Sequence, residues 1–226
     1  MSSRLVPLCV VLATALVVRA WGQVPPDEKK AIGTQMPDVT FIADNDSTFR
    51  LSAMWGKPVI VSPIFTSCPS ACPMITESLR DALREVGEPG VGYEVLTVSF
   101  DPADDSAAMR AYRERMGLPK GWRLATASAG DLATFLNAID FHVTALDEGG
   151  FAHPNLVVVL GPDLKVASYV NGVMFESAEL NAALEAASHK ASLVTRFRPL
   201  LLLVSVMGAV ATLWTLYATR RRGQEA

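Results

Sequence analysis

The sequence predicts one α/β domain in which strands and helices alternate before an antiparallel strand pair completes the sheet. Three observations carry this reading. Pro58-Val59-Ile60-Val61-Ser62-Pro63-Ile64 and Tyr93-Glu94-Val95-Leu96-Thr97-Val98-Ser99-Phe100 are short apolar runs rich in β-branched residues, as central strands are. A stretch with helical spacing of apolar residues follows the first: Ile75, Leu79, Ala82, Leu83 and Val86. Two later runs, Asn155 to Leu160 and Leu164 to Val170, flank Gly161-Pro162-Asp163, a strong turn signal. With 226 residues, half of them hydrophobic, the chain has material for one core and for membrane-directed segments besides.

The amino terminus reads as a secretory signal over residues 1–22: Arg4, an apolar stretch to Val18, and a small-residue cleavage site at Ala20-Trp21-Gly22 or Val18-Arg19-Ala20. An uncleaved anchor is the alternative, although the run is short for a spanning helix of ~20 residues. The domain is expected over 23–190. It begins with a polar, proline-led linker, Val24 to Lys30, and a hairpin of Val39-Thr40-Phe41-Ile42 and Ser47-Thr48-Phe49-Arg50-Leu51. Asp101-Pro102 stops the second central strand, and Asp104 or Asp105 caps a helix reaching about Met116. Trp122 to Thr126 is a short strand. Ser128 with Asp131 three residues on opens a helix that carries Leu132, Phe135, Leu136 and Ile139 on one face. A last helix runs from about Ser177 to Lys190. This element order is that of a thioredoxin-like domain.

Residues 199–219 carry no charge and are long enough to cross a bilayer, with Trp214 and Tyr217 near the far end. Arg220-Arg221-Arg222 follow, against Arg196 and Arg198 before the span. Together with the signal this predicts a C-terminal single transmembrane helix, a cytoplasmic tail over 220–226, and a domain on the periplasmic side of a bacterial inner membrane. A buried core helix is the alternative for the span. The net charge of −3 and the lack of a basic cluster in the domain give no reason to expect a nucleic-acid partner.

The chemistry gathers at Phe65-Thr66-Ser67-Cys68-Pro69-Ser70-Ala71-Cys72-Pro73, between the first central strand and its helix. Cys9 falls in the signal, so Cys68 and Cys72 are the mature cysteines. Pro73 suits a first helical turn, where a missing N–H costs nothing. Free N–H groups and the positive helix end there lower a thiol's pKa and favour thiolate. If residues 68 to 72 form a helical turn, both sulfurs share one face and can share an ion. Histidines are the candidates for a third donor. His189, at the end of the last helix, and His142, after the helix ending near Asp140, read as cations suited to helix ends. His153 lies in the loop Asp147 to Pro154, just before a central strand, where nothing evident demands an imidazole.

Two thiolates and an imidazole form a soft set that favours Cu(I) and tolerates Cu(II). Zinc also accepts such a set, yet no glutamate or second histidine in these motifs offers a general base. A structural disulfide is the plainest reading of two cysteines in an oxidising compartment, although so small a loop constrains the unfolded chain little. A peroxiredoxin-like peroxidase fits less well, because Thr66 stands only two residues before Cys68. Met74, Met109, Met116 and Met174 read as core, and Asp101 and Asp105 as helix caps.

Taken together, Phe65-Thr66-x-Cys68-Pro69-x-x-Cys72-Pro73, then Asp101-Pro102-x-x-Asp105, then His153 resemble the Sco/SenC family of copper proteins over roughly residues 30 to 190. The resemblance implies a thioredoxin-like fold and one copper ion held by Cys68, Cys72 and His153. It also implies a role in assembling the binuclear copper centre of cytochrome c oxidase subunit II, and a place for Asp101 and Asp105 at a partner-docking surface. A further copper chaperone or thiol reductant is an expected partner. The competing function is a membrane-anchored thiol–disulfide oxidoreductase, so enzyme or metal carrier stays open at this point. Two departures stand out. Ala152-His153-Pro154 replaces the usual Asp-His-Ser, removing a carboxylate that could orient the ligand. The anchor is C-terminal, whereas many members carry theirs at the N-terminus.

Overall fold

The computed structural model describes residues 24–147, 149–189 and Met207. In chain order these form α1 (Glu28–Ala31), β1 (Thr40–Ala43), β2 (Thr48–Arg50), a 3-10 turn (Leu51–Met54), β3 (Val59–Ile64), α2 (Ala71–Val86), β4 (Glu94–Ser99) and α3 (Ser106–Met116). Then come β5 (Trp122–Ala127), α4 (Ala129–Ala138), β6 (Thr144–Ala145), β7 (Phe151–Ala152), β8 (Leu156–Leu160), β9 (Val166–Asn171) and α5 over 177–189. One mixed sheet runs β2-β1-β5-β4-β3-β8-β9, and β6 and β7 form a separate two-stranded ladder.

Every residue of β3 and β4 is buried, as expected of parallel strands covered on both faces. Their alternation is therefore invisible in the sequence, and only their length and β-branching mark them. The β3 flank not paired with β4 pairs antiparallel with β8, Val59 opposite Leu160 and Val61 opposite Val158. Parallel β4 and antiparallel β8 thus bring three segments to one edge of the sheet. These are the residues after Ile64, those after Ser99 and those before Leu156. All the chemistry read from the sequence sits on these three segments.

Helix α2 lies against the sheet through Ile75, Leu79, Ala82 and Leu83. A buried leucine contributes roughly 1.5–3 kcal/mol, and Leu79→Ala would cost about 2–5 kcal/mol once its cavity is counted. The helix stops at Gly87, whose φ of 139° leaves the helical region while its N–H still reaches Leu83. Across the sheet, the Trp122 indole N–H donates to the Thr97 hydroxyl at 2.8 Å, which makes a wholly buried tryptophan tolerable.

The predicted hairpin forms as β1 and β2, and Ser128 caps α4 by accepting the Asp131 N–H. At α3, the cap is Asp105, which accepts from Ala108 at 2.8 Å. Asp101 does not cap that helix; its carboxylate turns back to accept the Ala103 N–H at 2.9 Å. The methionine reading is half corrected. Met109 and Met116 are core, but Met74 and Met174 are 46% and 70% exposed, because helical or strand spacing alone does not say which face turns inward. The signal over 1–22, the span over 199–219 and the tail over 220–226 lie outside the described residues. Among the described residues no helix is long and apolar enough to cross a membrane.

Candidate metal centre

Beyond Ile64 the chain turns through Thr66 and Ser67, and the Cys68 N–H donates to the Phe65 carbonyl at 3.2 Å. Helix α2 starts at Ala71, so Cys72 is already in its first turn, with Pro73 just behind it. The expectation of two cysteines ahead of the helix therefore holds for Cys68 alone. Residues 68 to 70 are not helical, yet the pair still meets: the Cys72 N–H donates to the Cys68 Sγ at 3.3 Å. Both thiols are free and buried, Cys72 completely.

The electrostatics reverse the expected thiolate at Cys72. Burial pushes its thiol far above the ordinary range. A hydrogen bond from the Phe65 backbone pulls the other way but is outweighed, and the neighbouring Cys68 and Asp104 push the thiol up further. Desolvation beats the helix end here because the sulfur has no water to share the charge with. At neutral pH Cys72 is a thiol, and an arriving cation must displace its proton.

A network not foreseen from the sequence holds this loop. The Asp104 carboxylate accepts from the Thr66 N–H at 2.8 Å and the Thr66 hydroxyl at 2.5 Å. It also accepts the Ser99 hydroxyl at 2.5 Å, tying the cysteine loop to the end of β4. Arg115 donates to the Thr66 carbonyl at 2.9 Å, so every polar group of Thr66 is engaged. Behind Cys72, the buried Tyr112 hydroxyl lies 2.7 Å from the Thr76 hydroxyl and donates to the Cys72 carbonyl at 3.2 Å. Adjacent Asp104 and Asp105 held the one available signal. A helix takes a single cap residue, so the other carboxylate is free for another task.

His153 precedes β8 and follows the two-rung ladder of β6 and β7. It is no open-loop residue. Only 4% of it is exposed, and its ring lies 5.0 Å from Phe100 and 5.9 Å from both Phe65 and Phe141. Burial lowers its pKa and keeps it neutral. Its Nδ1 is 3.0 Å from the Pro154 carbonyl. A carbonyl only accepts, so the proton sits on Nδ1 and Nε2 keeps its lone pair. The carbonyl thus does the orienting work that the missing Asp-His-Ser pattern would assign to side chains. Of the other histidines, exposed His142 stands 3.3 Å from the Asp140 carboxylate, and His189 lies on α5.

The structure thus pairs the two cysteines and carries His153 to the same sheet edge. It does not gather the three: among the described residues no three His, Cys, Asp or Glu side chains stand together as a formed ion site. Phe65 is the residue common to both halves. Its carbonyl receives Cys68, while its ring meets His153, Phe100 and Phe151. The donor chemistry suits a soft cation, and a metal that uses all three donors would have to draw the two loops together.

Sheet order, the strand–cysteine–helix junction and the late antiparallel pair define a thioredoxin-like protein. Solved structures bear this out. The chain is similar to an Aquifex aeolicus protein provisionally assigned to electron transfer, with 38% identity, 70% of this chain and 95% of that one covered, and a TM-score of 0.68. It shares the fold of Bradyrhizobium japonicum ScoI, solved with copper bound (18% identity, 68% and 99% covered, TM-score 0.60). It also shares that of BsSco, a member of the Sco family of cytochrome c oxidase assembly proteins in which a disulfide switch was identified (19%, 74% and 97%, 0.60). The SCO1/SenC sequence profile matches residues 28–189, and the chain belongs to that family. No curated protein matches it in sequence.

Proposed function

We propose that this protein carries copper through Cys68, Cys72 and His153 and delivers it to the binuclear copper centre of cytochrome c oxidase subunit II. Tethered by 199–219, the domain works on the periplasmic side of a bacterial inner membrane. The observation that carries the reading is the donor set itself. Two free cysteines, joined by the Cys72 N–H donating to the Cys68 Sγ, lie at the same sheet edge as a neutral histidine whose Nε2 lone pair is free. The family, and the copper found in ScoI, support the choice of cargo. Two sulfurs hold Cu(I), and the imidazole adds the nitrogen that Cu(II) asks for.

Metal analysis of the chain purified under reducing conditions tests this. One copper per chain is expected in the reduced protein and none after Cys68 and Cys72 are oxidised to a disulfide, whose sulfurs are no longer thiolate donors. Equal uptake by both forms would remove the proposed ligands. Protease added to spheroplasts should degrade the domain; its protection would reverse the topology.

A second reading has its own support: the cysteines touch while His153 is not yet gathered to them. In that reading the pair reduces a disulfide in a client protein. Two thiols give up two electrons and two protons, the Cys68–Cys72 bond forms, and the client's S–S bond becomes two thiols. Only the copper reading needs His153.

A further inference from the structure

Asp104 is the feature that neither function absorbs. Its two oxygens accept three hydrogen bonds, all from neutral donors: the Thr66 amide, the Thr66 hydroxyl and the Ser99 hydroxyl. No ion pair among the described residues includes it. A carboxylate with no ion pair of its own is therefore held against the segment that leads into Cys68, while the Arg115 guanidinium meets that segment on the Thr66 carbonyl. Thr66, which this carboxylate grips through both its amide and its hydroxyl, stands two residues before Cys68, so the charge lies close beside the cysteine loop.

Resting on the copper reading, we propose that Asp104 is a positioning residue whose fixed charge shifts the balance of the cysteine site toward Cu(II) and away from Cu(I). The charge count gives the sign. Cu(II) with two thiolates and a neutral imidazole carries no net charge, whereas Cu(I) with the same ligands carries −1. Reduction adds one electron to the metal, with no bond made or broken in this count, and places it beside an anion already present. The anion opposes that step, and partial burial lengthens its reach because less water screens it. The three hydrogen bonds hold the carboxylate in place. Asp104 thus lowers the potential of copper held here.

The test compares Cu(II) and Cu(I) affinities of the full-length chain in detergent, by competition with chromophoric chelators specific for each ion and by a mediator-controlled optical titration. Asp104→Asn keeps the size and removes the charge. The Cu(II)-to-Cu(I) affinity ratio is expected to fall about tenfold, a rise of about 59 mV for one electron. Thr66→Val keeps the charge and removes one neutral donor that spreads it, so its ratio should hold or rise about twofold. An unmoved or rising ratio in Asp104→Asn overturns the proposal. So does a fall in Thr66→Val, which would mean that loop geometry rather than charge sets the preference; this arm stands even if Asp104→Asn does not fold. A wild-type chain that binds neither ion overturns the copper reading and this proposal with it. A wild-type chain that binds copper, beside an Asp104→Asn variant with the same ratio, overturns the proposal alone.

Discussion

The cysteine loop and the histidine loop meet at one sheet edge but are held by different forces. Around Cys68 and Cys72 the restraints are directional: Asp104 and Arg115 grip Thr66, and Tyr112 reaches the Cys72 carbonyl. Around His153 they are almost all contact: Phe65, Phe100 and Phe141 enclose the ring, and one hydrogen bond to Pro154 orients it. Hydrogen bonds fix where a donor stands. An apolar cage fixes its protonation state, because it taxes charge without setting a unique position. Cys72 has place without charge; the histidine has neutrality and a free lone pair.

Breaking the cysteine side should have the largest effect. Cys72→Ser is expected to abolish copper retention on gel filtration against a chelator. It should also cost about 1–3 kcal/mol in denaturant unfolding, because a fully buried hydroxyl replaces a soft sulfur. Retained copper would move the ligand set elsewhere.

Next comes the shared residue. Phe65→Ala removes ring contacts to Phe100, Phe151 and His153 and should cost about 3–5 kcal/mol, while Phe65→Leu should lose much less. If the alanine variant unfolds at the wild-type denaturant midpoint, Phe65 does not join the halves.

His153→Ala follows. The sequence alone suggested a harmless change, but a buried ring leaves a cavity, so a loss of about 2 kcal/mol or more is expected. Cu(II) binding should vanish while some Cu(I) binding by the two sulfurs survives; intact Cu(II) binding would leave the imidazole a packing residue. The decisive readout is oxidase assembly in cells without added copper. Assembly as poor as with Cys72→Ser supports the carrier, and normal assembly supports the thiol reductant.

The smallest effect is a pair of opposite pH slopes. Unfolded histidine takes up a proton near pH 6.5, but caged His153 does so only at lower pH, so stability should be lost as pH falls below about 6.5. Unfolded cysteine loses its proton near pH 8.5, whereas Cys72 keeps it, so stability should also be lost as pH rises above about 8.5. His153→Gln should flatten the acid limb alone and Cys72→Ala the alkaline limb alone, by urea unfolding across pH. Identical limbs in the variants would sink both assignments.

Most of the fold was legible because strands and helices here differ in length and branching. Val59–Ile64 and Ser106–Met116 could hardly be exchanged. The short ladder of β6 and β7 was not, since two residues per strand leave no period to read. At the site, residue types and spacing pointed to Cys68 and Cys72, and the family resemblance added His153. What the sequence could not carry was burial. The same Cys72 that a helix start would ionise is kept neutral by packing from distant segments, and the loop that looked open at His153 is closed by phenylalanines from three other stretches. Asp104 was visible only as one of two candidate caps, because its partner Thr66 is 38 residues away.

The antiparallel pairing of β3 with β8 has a consequence for descent. It sets the thiols and the imidazole side by side while leaving them on segments far apart in the chain, each with its own supports. A lineage can therefore exchange the histidine by a single codon change and keep a folded dithiol protein, with Thr66, Asp104 and Tyr112 still in place. Regaining the imidazole would again need only that codon, provided the phenylalanine cage had been retained for stability. On the two readings proposed above, a carrier and a reductant built on this scaffold would be one substitution apart in either direction.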